Sequence, residues 1–507
     1  DAAPSEYGNA LTQFMTTTGI VVVAPSCSSS VSRAFCSRCS RVRAGLYWRG
    51  LNMFTMRQLS AKVNTVSFSM AIISMILFLA ITSVTGGISI ANVMNTSVER
   101  CTIADYSRAI MYYGPELCND PEVGGAAAAQ DGYPVAKLAE EPVDILAESA
   151  SNTVDPEGKS ARPFDLASII DKRVQIDIYD SRPVGTEQPV VSLNDLADAV
   201  DMALPKGTNS SNSSMMGLAV MKESMYNTYL DFRGMDRVDL GEDGYLITSD
   251  MGESVNKIYN AVMDKDVEIE FGGRTLHPAS DHVNEEASSF FNSPMGSNAG
   301  TIVVPDELVD AQGCPLYQSY LIADYKPGLS YDETEGYVRQ HRSWGDILNP
   351  DGTESALWGM EATRLQSYES TNSMNGLISY LAIYIGFVLV VACAAILTIQ
   401  QLSGVADASK NCRILSELGT SRHEIMRSVL VQQAIFFVFP LVMGVAHSLV
   451  ALQVVIEIVA LFGGMSIGGT VGMTCSIFLL CYGGYFLVTY LMSKGIVSDA
   501  IRVRHAH

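Results

Sequence analysis

The residues best placed to act on something else lie between two apolar runs. Residues 401–429 read QLSGVADASKNCRILSELGTSRHEIMRSV. Arg413 to Leu418 has helical character, Gly419 ends it, and Ser421 opens a second helix with Glu424 three residues on, the spacing of a capping box. Lys410, Arg413, Glu417, Gly419, Arg422 and Arg427 therefore sit on a short basic helix-turn-helix that could dock a cytoplasmic partner. The same residues also suit a well-capped connection between two spans, and local physics alone favours that plainer role. In the next apolar run, Pro440 is expected to kink a helix and His447 places an ionisable group inside it, with Gly444 between them. His447 fits a satisfied packing role or proton and substrate chemistry.

Other chemistry is thinly supported. His277, His282 and His341 stand among many carboxylates, but their spacing follows no metal template, so solvated surface is expected. Cys36 and Cys39 have the C-x-x-C spacing without a second pair, in a Ser/Arg-rich context that argues against a metal. No G-x-x-x-x-G-K-[ST], H-E-x-x-H or G-x-S-x-G motif occurs. No catalytic residue, metal or cofactor is assigned, and the chain is read as no enzyme in its own right.

Four apolar runs position these residues: 67–94, 375–401, 428–456 and 471–493. Each is long enough for a membrane span, which takes about 20 residues. The fold class expected is an α-helical integral membrane protein with four transmembrane helices, one-plus-three, and a large extracytoplasmic α+β domain, 95–374, between helices 1 and 2. That insert carries 47 Asp/Glu and 19 Lys/Arg, whereas the rest carries 7 acidic and 14 basic residues. Arg49, Arg57 and Lys62 precede the first run, the basic loop 402–427 follows the second, and Lys494, Arg502 and Arg504 follow the fourth. The positive-inside rule then places the N-terminus, 402–427 and the C-terminus inside, and the insert and the uncharged loop 461–470 outside, in a plasma membrane. An acidic soluble part disfavours nucleic acid as a partner.

Within the insert, VEIEF (Val267–Phe271) alternates as a half-buried strand, Gly272-Gly273 marks a turn, and RTL resumes. TIVVPD (Thr301–Asp306) reads as a short buried strand, and Ser224–Gly234 as a helix with Ser224 as cap and Gly234 as stop. Residues 121–163, 207–214 and 281–300 read as loops, leaving a core near 165–360 and a less defined 95–164. Cys101, Cys118 and Cys314 give no disulfide framework, although Cys101 and Cys118 could pair. Residues 1–46 are atypical and read as a disordered segment, while 47–66 suit an interfacial helix or a span extension with anchors.

The segment holding Arg413, Leu418, Gly419, Ser421, Arg422 and Ile425 resembles the FtsX-like permease domain, whose pattern there is a basic residue, a short helix, Leu-Gly-Ala-Ser/Thr and a basic helix. QQAIFFVFPLVMGVAHSLVAL, with Gln432 or Gln433, Phe437, Pro440, Gly444 and His447, is similar to the bacitracin-exporter (MacB-like) type of that family. YWRGLNMFTMRQLSAKVNT and ESMYNTYLDFRGMDRVDLGEDGYLI are similar to further stretches of such permeases. The resemblance covers roughly 45–100 and 220–495, most strongly 376–493. It implies the permease subunit of an ABC transporter of the mechanotransmission class. ATP would be hydrolysed by a separate cytoplasmic ATPase subunit touching 410–427, and an antimicrobial peptide or lipid-linked ligand would be exported or detached, with a sensor kinase as a further partner. The alternatives are a non-transporting signal transmitter that activates a cell-wall hydrolase, and a sensor receptor without an ATPase. The resemblance also implies a first half absent from this sequence. Residues 1–46 would then be the remnant of a preceding span, and a frame discontinuity near residue 25 in a truncated gene product is expected.

Overall fold

The computed structural model describes residues 51–112, 141–151, 164–183, 188–204, 217–341, 345–348, 354–461 and 468–502. The 1–46 segment with Cys36 and Cys39, Cys118, and the 207–214 stretch lie outside those residues. By contacts the chain divides into two units: Asp1–Ser89, Leu377–Val455 and Ser466–His507 form one, Ile90–Gly376 and Ile456–Met465 the other.

In chain order the elements are α1 (Asn52–Cys101), β1 (Tyr106–Tyr112), α2 (Ile145–Ser151), β2 (Ile170–Asp180), α3 (Leu193–Ala199), β3 (Ala219–Lys222), α4 (Glu223–Arg233) and β4 (Gly244–Thr248). There follow α5 (Glu253–Asp264), β5 (Ile269–Phe271), β6 (Arg274–Pro278), β7 (Thr301–Val304), α6 (Asp306–Gln312), β8 (Leu316–Tyr325) and α7 (Tyr331–His341). The last are β9 (Gly345–Leu348), β10 (Glu354–Thr363), α8 (Arg364–Glu417), α9 (Arg422–Leu461) and α10 (Gly468–Arg502). Four of these helices are long and apolar enough to cross a membrane, one before the strands and three after.

Each apolar run lies inside a longer helix. Hydropathy marks only the part suited to lipid, while the backbone hydrogen bonds continue into polar flanks. The described part of 47–66 and the run 67–94 thus share α1 without a break, and Gly86-Gly87 does not interrupt it. Gly87 has a packing reason: a Cβ there would run into the Cβ of Ala382 on α8. The 54 residues of α8 correspond to about 80 Å of helix, well over the ~30 Å of a hydrocarbon core.

Ten described strands form one sheet, ordered β5-β6-β4-β7-β3-β2-β8-β1-β10-β9. The β3–β7 and β4–β6 pairs are parallel and the others antiparallel. Both faces of its middle are covered. Val220, Tyr245, Ile247, Ile302 and Val304 pack with Val255, Ile258 and Tyr259 of α5 and with Leu308 of α6. Their neighbours Met221, Leu246 and Val303 pack on the opposite face with Tyr226, Tyr229 and Leu230 of α4. Burial on both faces explains why β7 reads as unbroken Thr-Ile-Val-Val instead of alternating.

One cap differs from expectation. β3 runs straight into α4, so Lys222 occupies the cap position without a side-chain bond and Ser224 lies inside the first turn. The carboxylate of Asp306 takes over, accepting the Ser224 N–H at 3.0 Å and its hydroxyl at 2.5 Å. Gly234 ends α4 in the left-handed conformation, φ 70°.

Candidate functional site

The six residues singled out between the second and third apolar runs surround one turn. α8 ends in a Schellman motif: Thr420 N–H donates to the Leu415 carbonyl at 3.1 Å and Gly419 N–H to Ser416 at 3.1 Å. Gly419 has φ 90°, a conformation that favours glycine. Ser421 and Glu424 form the capping box: Glu424 N–H donates to Ser421 Oγ at 3.3 Å, and Ser421 N–H to Glu424 Oε2 at 3.4 Å. Lys410, Arg413, Glu417, Gly419, Arg422 and Arg427 are all exposed. Arg413 pairs with Glu417 at 3.1 Å and Arg422 donates to Ser498 Oγ at 2.7 Å. Beneath the turn, Val405, Cys412, Ile425, Met426, Val429 and Val497 form an apolar base, with Leu51 and Leu415 against it. Two large apolar side chains at the end of α8 and in the turn stay outside this base: Ile414 is 53% and Leu418 78% exposed.

Pro440, Gly444 and His447 lie on α9, and Gly444 and His447 face α1. Pro440 offers no N–H to the Phe436 carbonyl, and one residue later the Phe437 carbonyl accepts the Tyr482 hydroxyl at 3.0 Å. Gly444 permits a close crossing, since a Cβ there would stand 3.0 Å from Leu77 Cβ and 3.2 Å from the Ser74 carbonyl. His447 lies edge-on to Phe78 with ring centroids 6.5 Å apart, and its Nε2 has no hydrogen-bond partner among the described residues. These three residues are one turn apart along a packed face and are not gathered with the 410–427 cluster.

The structure keeps the three insert histidines apart. His277 stands 3.7 Å from Asp266, His341 stacks on Phe164 at 5.5 Å, and His282 lines an open cavity of about 850 Å³ beside Asp239, Glu285 and Glu286. Among the described residues no group of three His, Cys, Asp or Glu could hold a metal ion.

A second constellation was not singled out by sequence. It lies where the two long helices join the sheet, within the Ile90–Gly376 unit. β1, four residues beyond α1, pairs antiparallel with β10, which runs directly into α8; Tyr106 faces Thr363. Asp105 ties the two chain directions: its carbonyl accepts Arg364 N–H at 2.9 Å, its Oδ1 lies 3.3 Å from Arg364 Nε, and its Oδ2 accepts Tyr325 N–H at 3.0 Å. Eleven residues into α8, Asn375 donates to the side chain of Asn95 on α1.

Residues 289–298 form a strap across the end of α1. Ser293 N–H and Ser289 Oγ donate to the Cys101 carbonyl at 3.3 and 3.4 Å, partnering one of the carbonyls a helix end leaves open. Asn292, 1% exposed, bridges both directions. Its Oδ1 accepts Ile103 N–H at 3.0 Å and Ala104 N–H at 3.3 Å, and its Nδ2 donates to the carbonyls of Ala104 at 2.8 Å and Ala362 at 3.4 Å. From α4, the Tyr229 hydroxyl donates to the Ser289 carbonyl at 2.5 Å. Asp250, fully buried, accepts Asn298 N–H at 2.8 Å, and its main-chain carbonyl accepts the Arg100 guanidinium at 2.6 Å. Burial holds the Asp250 carboxyl above its ordinary range, at about 6, against the lowering pull of the Asn298 and Ser297 N–H groups, Arg100 and the Ser289 hydroxyl. A strap without helical or strand period gives no sequence signal, which is why 281–300 reads simply as a loop.

No family model matches the chain. This chain is similar to part of an ABC transporter permease. The relative is ABC transporter permease protein YxdM of Bacillus subtilis (strain 168), 27% identical over 175 residues, which are 33% of this chain and 26% of that protein. The match spans about a quarter of the relative's length. Four apolar helices together with this likeness support a multi-pass membrane protein.

Proposed function

We propose that the chain is a permease subunit, or part of one, of an ABC transporter of the mechanotransmission class. ATP hydrolysis on a separate cytoplasmic subunit would push on the 402–427 turn, and α1 and α8 would carry the movement to an extracytoplasmic sheet domain. The observation that carries this reading is the turn itself. A Schellman motif, a capping box and an apolar base hold the turn, yet Ile414 and Leu418 stay exposed on a segment that also carries the exposed Lys410 and Arg413. Exposed large apolar side chains on a segment that also exposes several cations suit the apolar core and charged rim of a protein interface. The likeness to YxdM supports an ATPase as the occupant.

On this reading 376–493 is an FtsX-like permease domain, and the insert faces outward with the N-terminus, the 402–427 turn and the C-terminus inside. The cargo is an antimicrobial peptide or lipid-linked ligand, which the acidic insert would attract when cationic, and a sensor kinase is a further partner. A non-transporting transmitter acting on a cell-wall hydrolase is the other reading, which the size of the insert disfavours.

The test is co-purification of the ATPase from membranes. Leu418→Asp combined with Arg413→Glu is expected to lower ATPase recovery at least tenfold, while Glu286→Gln on the sheet domain leaves it unchanged. Full recovery with the double variant would refute the docking assignment.

A further inference from the structure

The strap on the end of α1 covers a carboxyl, Asp250, whose burial disfavours its charge. Asp250 has no exposed surface and sits against the carbonyl end of α1, where the helix dipole is negative. The charged and titratable groups around it are Arg100 and Cys101 of α1, Tyr229 and, behind it, Arg233 of α4, and Tyr320 of β8. Arg100 is the cation that acts on it, and its Nη2 donates to the Asp250 main-chain carbonyl. On the strap side, Oδ1 accepts Asn298 N–H at 2.8 Å, and Gly296 lies so close that a Cβ there would stand 2.9 Å from Oδ1. Asn298 in turn donates to the carbonyls of Thr248 at 3.2 Å and Ser288 at 2.8 Å, closing the strap on itself. Phe290 and Phe291 anchor the first part of the strap in the apolar core. Residues 293–298 are at most half-buried and are held, outside any sheet ladder or helix, by the Ser293 N–H bond to Cys101 and the main-chain and side-chain bonds between Asn298 and Asp250. This second part can therefore lift without unfolding the sheet.

We propose that this strap is a proton-operated latch: it closes on the end of α1 when Asp250 is protonated and loosens when Asp250 ionises. The direction follows from linkage. In the closed strap the carboxyl is buried and binds its proton up to a pH of about 6. In a lifted strap it meets water and titrates near its ordinary 3.8. The closed form therefore holds more protons between these values, and raising the pH through that window favours the lifted form. About two pH units of difference correspond to roughly a 100-fold change in the open-to-closed ratio, complete by neutral pH. The latch concerns the sheet domain's grip on its own helix, and it stands whether or not the 402–427 turn binds an ATPase.

The full chain in lipid nanodiscs would be followed by amide hydrogen exchange from pH 4.5 to 7.5, with rates divided by the intrinsic chemical rate at each pH. Amides of residues 293–300 are expected to lose protection as pH rises, by up to about 100-fold and with a midpoint near 6. Asp250→Asn, which cannot ionise, is expected to hold the acidic level of protection throughout. Arg100→Gln, which removes a charge that favours the ionised carboxylate, is expected to move the midpoint upward by half a unit or more. Protection that stays flat in the parent chain overturns the latch, as does unchanged pH dependence in Asp250→Asn. Should that variant fail to fold, an unmoved midpoint in Arg100→Gln overturns it instead.

Discussion

At the scale of single residues, Asn292 makes four side-chain hydrogen bonds at the junction. It satisfies the N–H groups of Ile103 and Ala104 and reaches carbonyls on both sides of the β1–β10 pair. Asn292→Ala would strip partners from several buried backbone groups at once. A net hydrogen bond contributes about 1 kcal/mol and an orphaned buried group costs about 1–3 kcal/mol, so a loss on the order of 3 kcal/mol is expected. Thermal melting of the detergent-solubilised full chain would read it, and a shift under one degree would show that water replaces the amide without cost. The contrast with the turn residues is instructive. Arg413, Glu417 and Arg422 are exposed, so the Arg413–Glu417 ion pair contributes little to stability, and substitutions there should act on binding and leave the melting midpoint in place.

At the scale of elements, α9 crosses α1 through Gly444, with Leu77 and Ser74 opposite. Gly444→Leu has no room to enter, and overpacking there should cost about 1–3 kcal/mol, read as a lower melting midpoint; Gly444→Ala should cost less. An unchanged midpoint with leucine would mean that the two helices are free to part. What could be read from sequence at this scale was local. The VEIEF–Gly-Gly–RTL hairpin needs only alternation and a turn, and β5 and β6 pair with Phe271 facing Arg274. The capping box of Ser421 and Glu424 needs only four residues. β1 was hidden because Ser107 and Arg108 interrupt its apolar pattern, and both are buried by partners far along the chain. Arg108 meets Glu148 at 2.7 Å and Glu361 at 3.4 Å, and Ser107 donates to Ala362 at 3.1 Å. Such residues look like surface until the sheet places their partners. Asp250 and the strap were hidden for the same reason, since their pairing exists only between elements.

At the scale of the whole molecule, charge is the coarse organiser. The 95–374 segment holds 47 of the 54 acidic residues, and cations gather at the flanks of the apolar runs. The proposed topology gives a direct expectation for intact cells stripped of their wall. Added trypsin should cut within the sheet domain at exposed Arg237 and Arg339 and leave Lys410, Arg413 and Arg422 intact until the membrane is opened. Cleavage at the turn in sealed cells would reverse the assignment. The reading of four apolar runs needs nothing beyond composition, and the same four segments recur as helices. Which way they cross, and what binds at either end, depends on surfaces that composition only hints at.

The pairing of Tyr106 with Thr363 has a consequence for how such a molecule can be rebuilt. Directly opposed residues of an antiparallel pair have Cα atoms about 5 Å apart, so the sheet domain leaves and rejoins the helices at neighbouring points. A domain with adjacent ends can be exchanged like a cartridge. Replacing the stretch between Asp105 and Arg364 with an unrelated domain whose own ends lie together would preserve the spacing of the two helices, so that the sheet domain can change by transplantation while the helices are inherited unaltered.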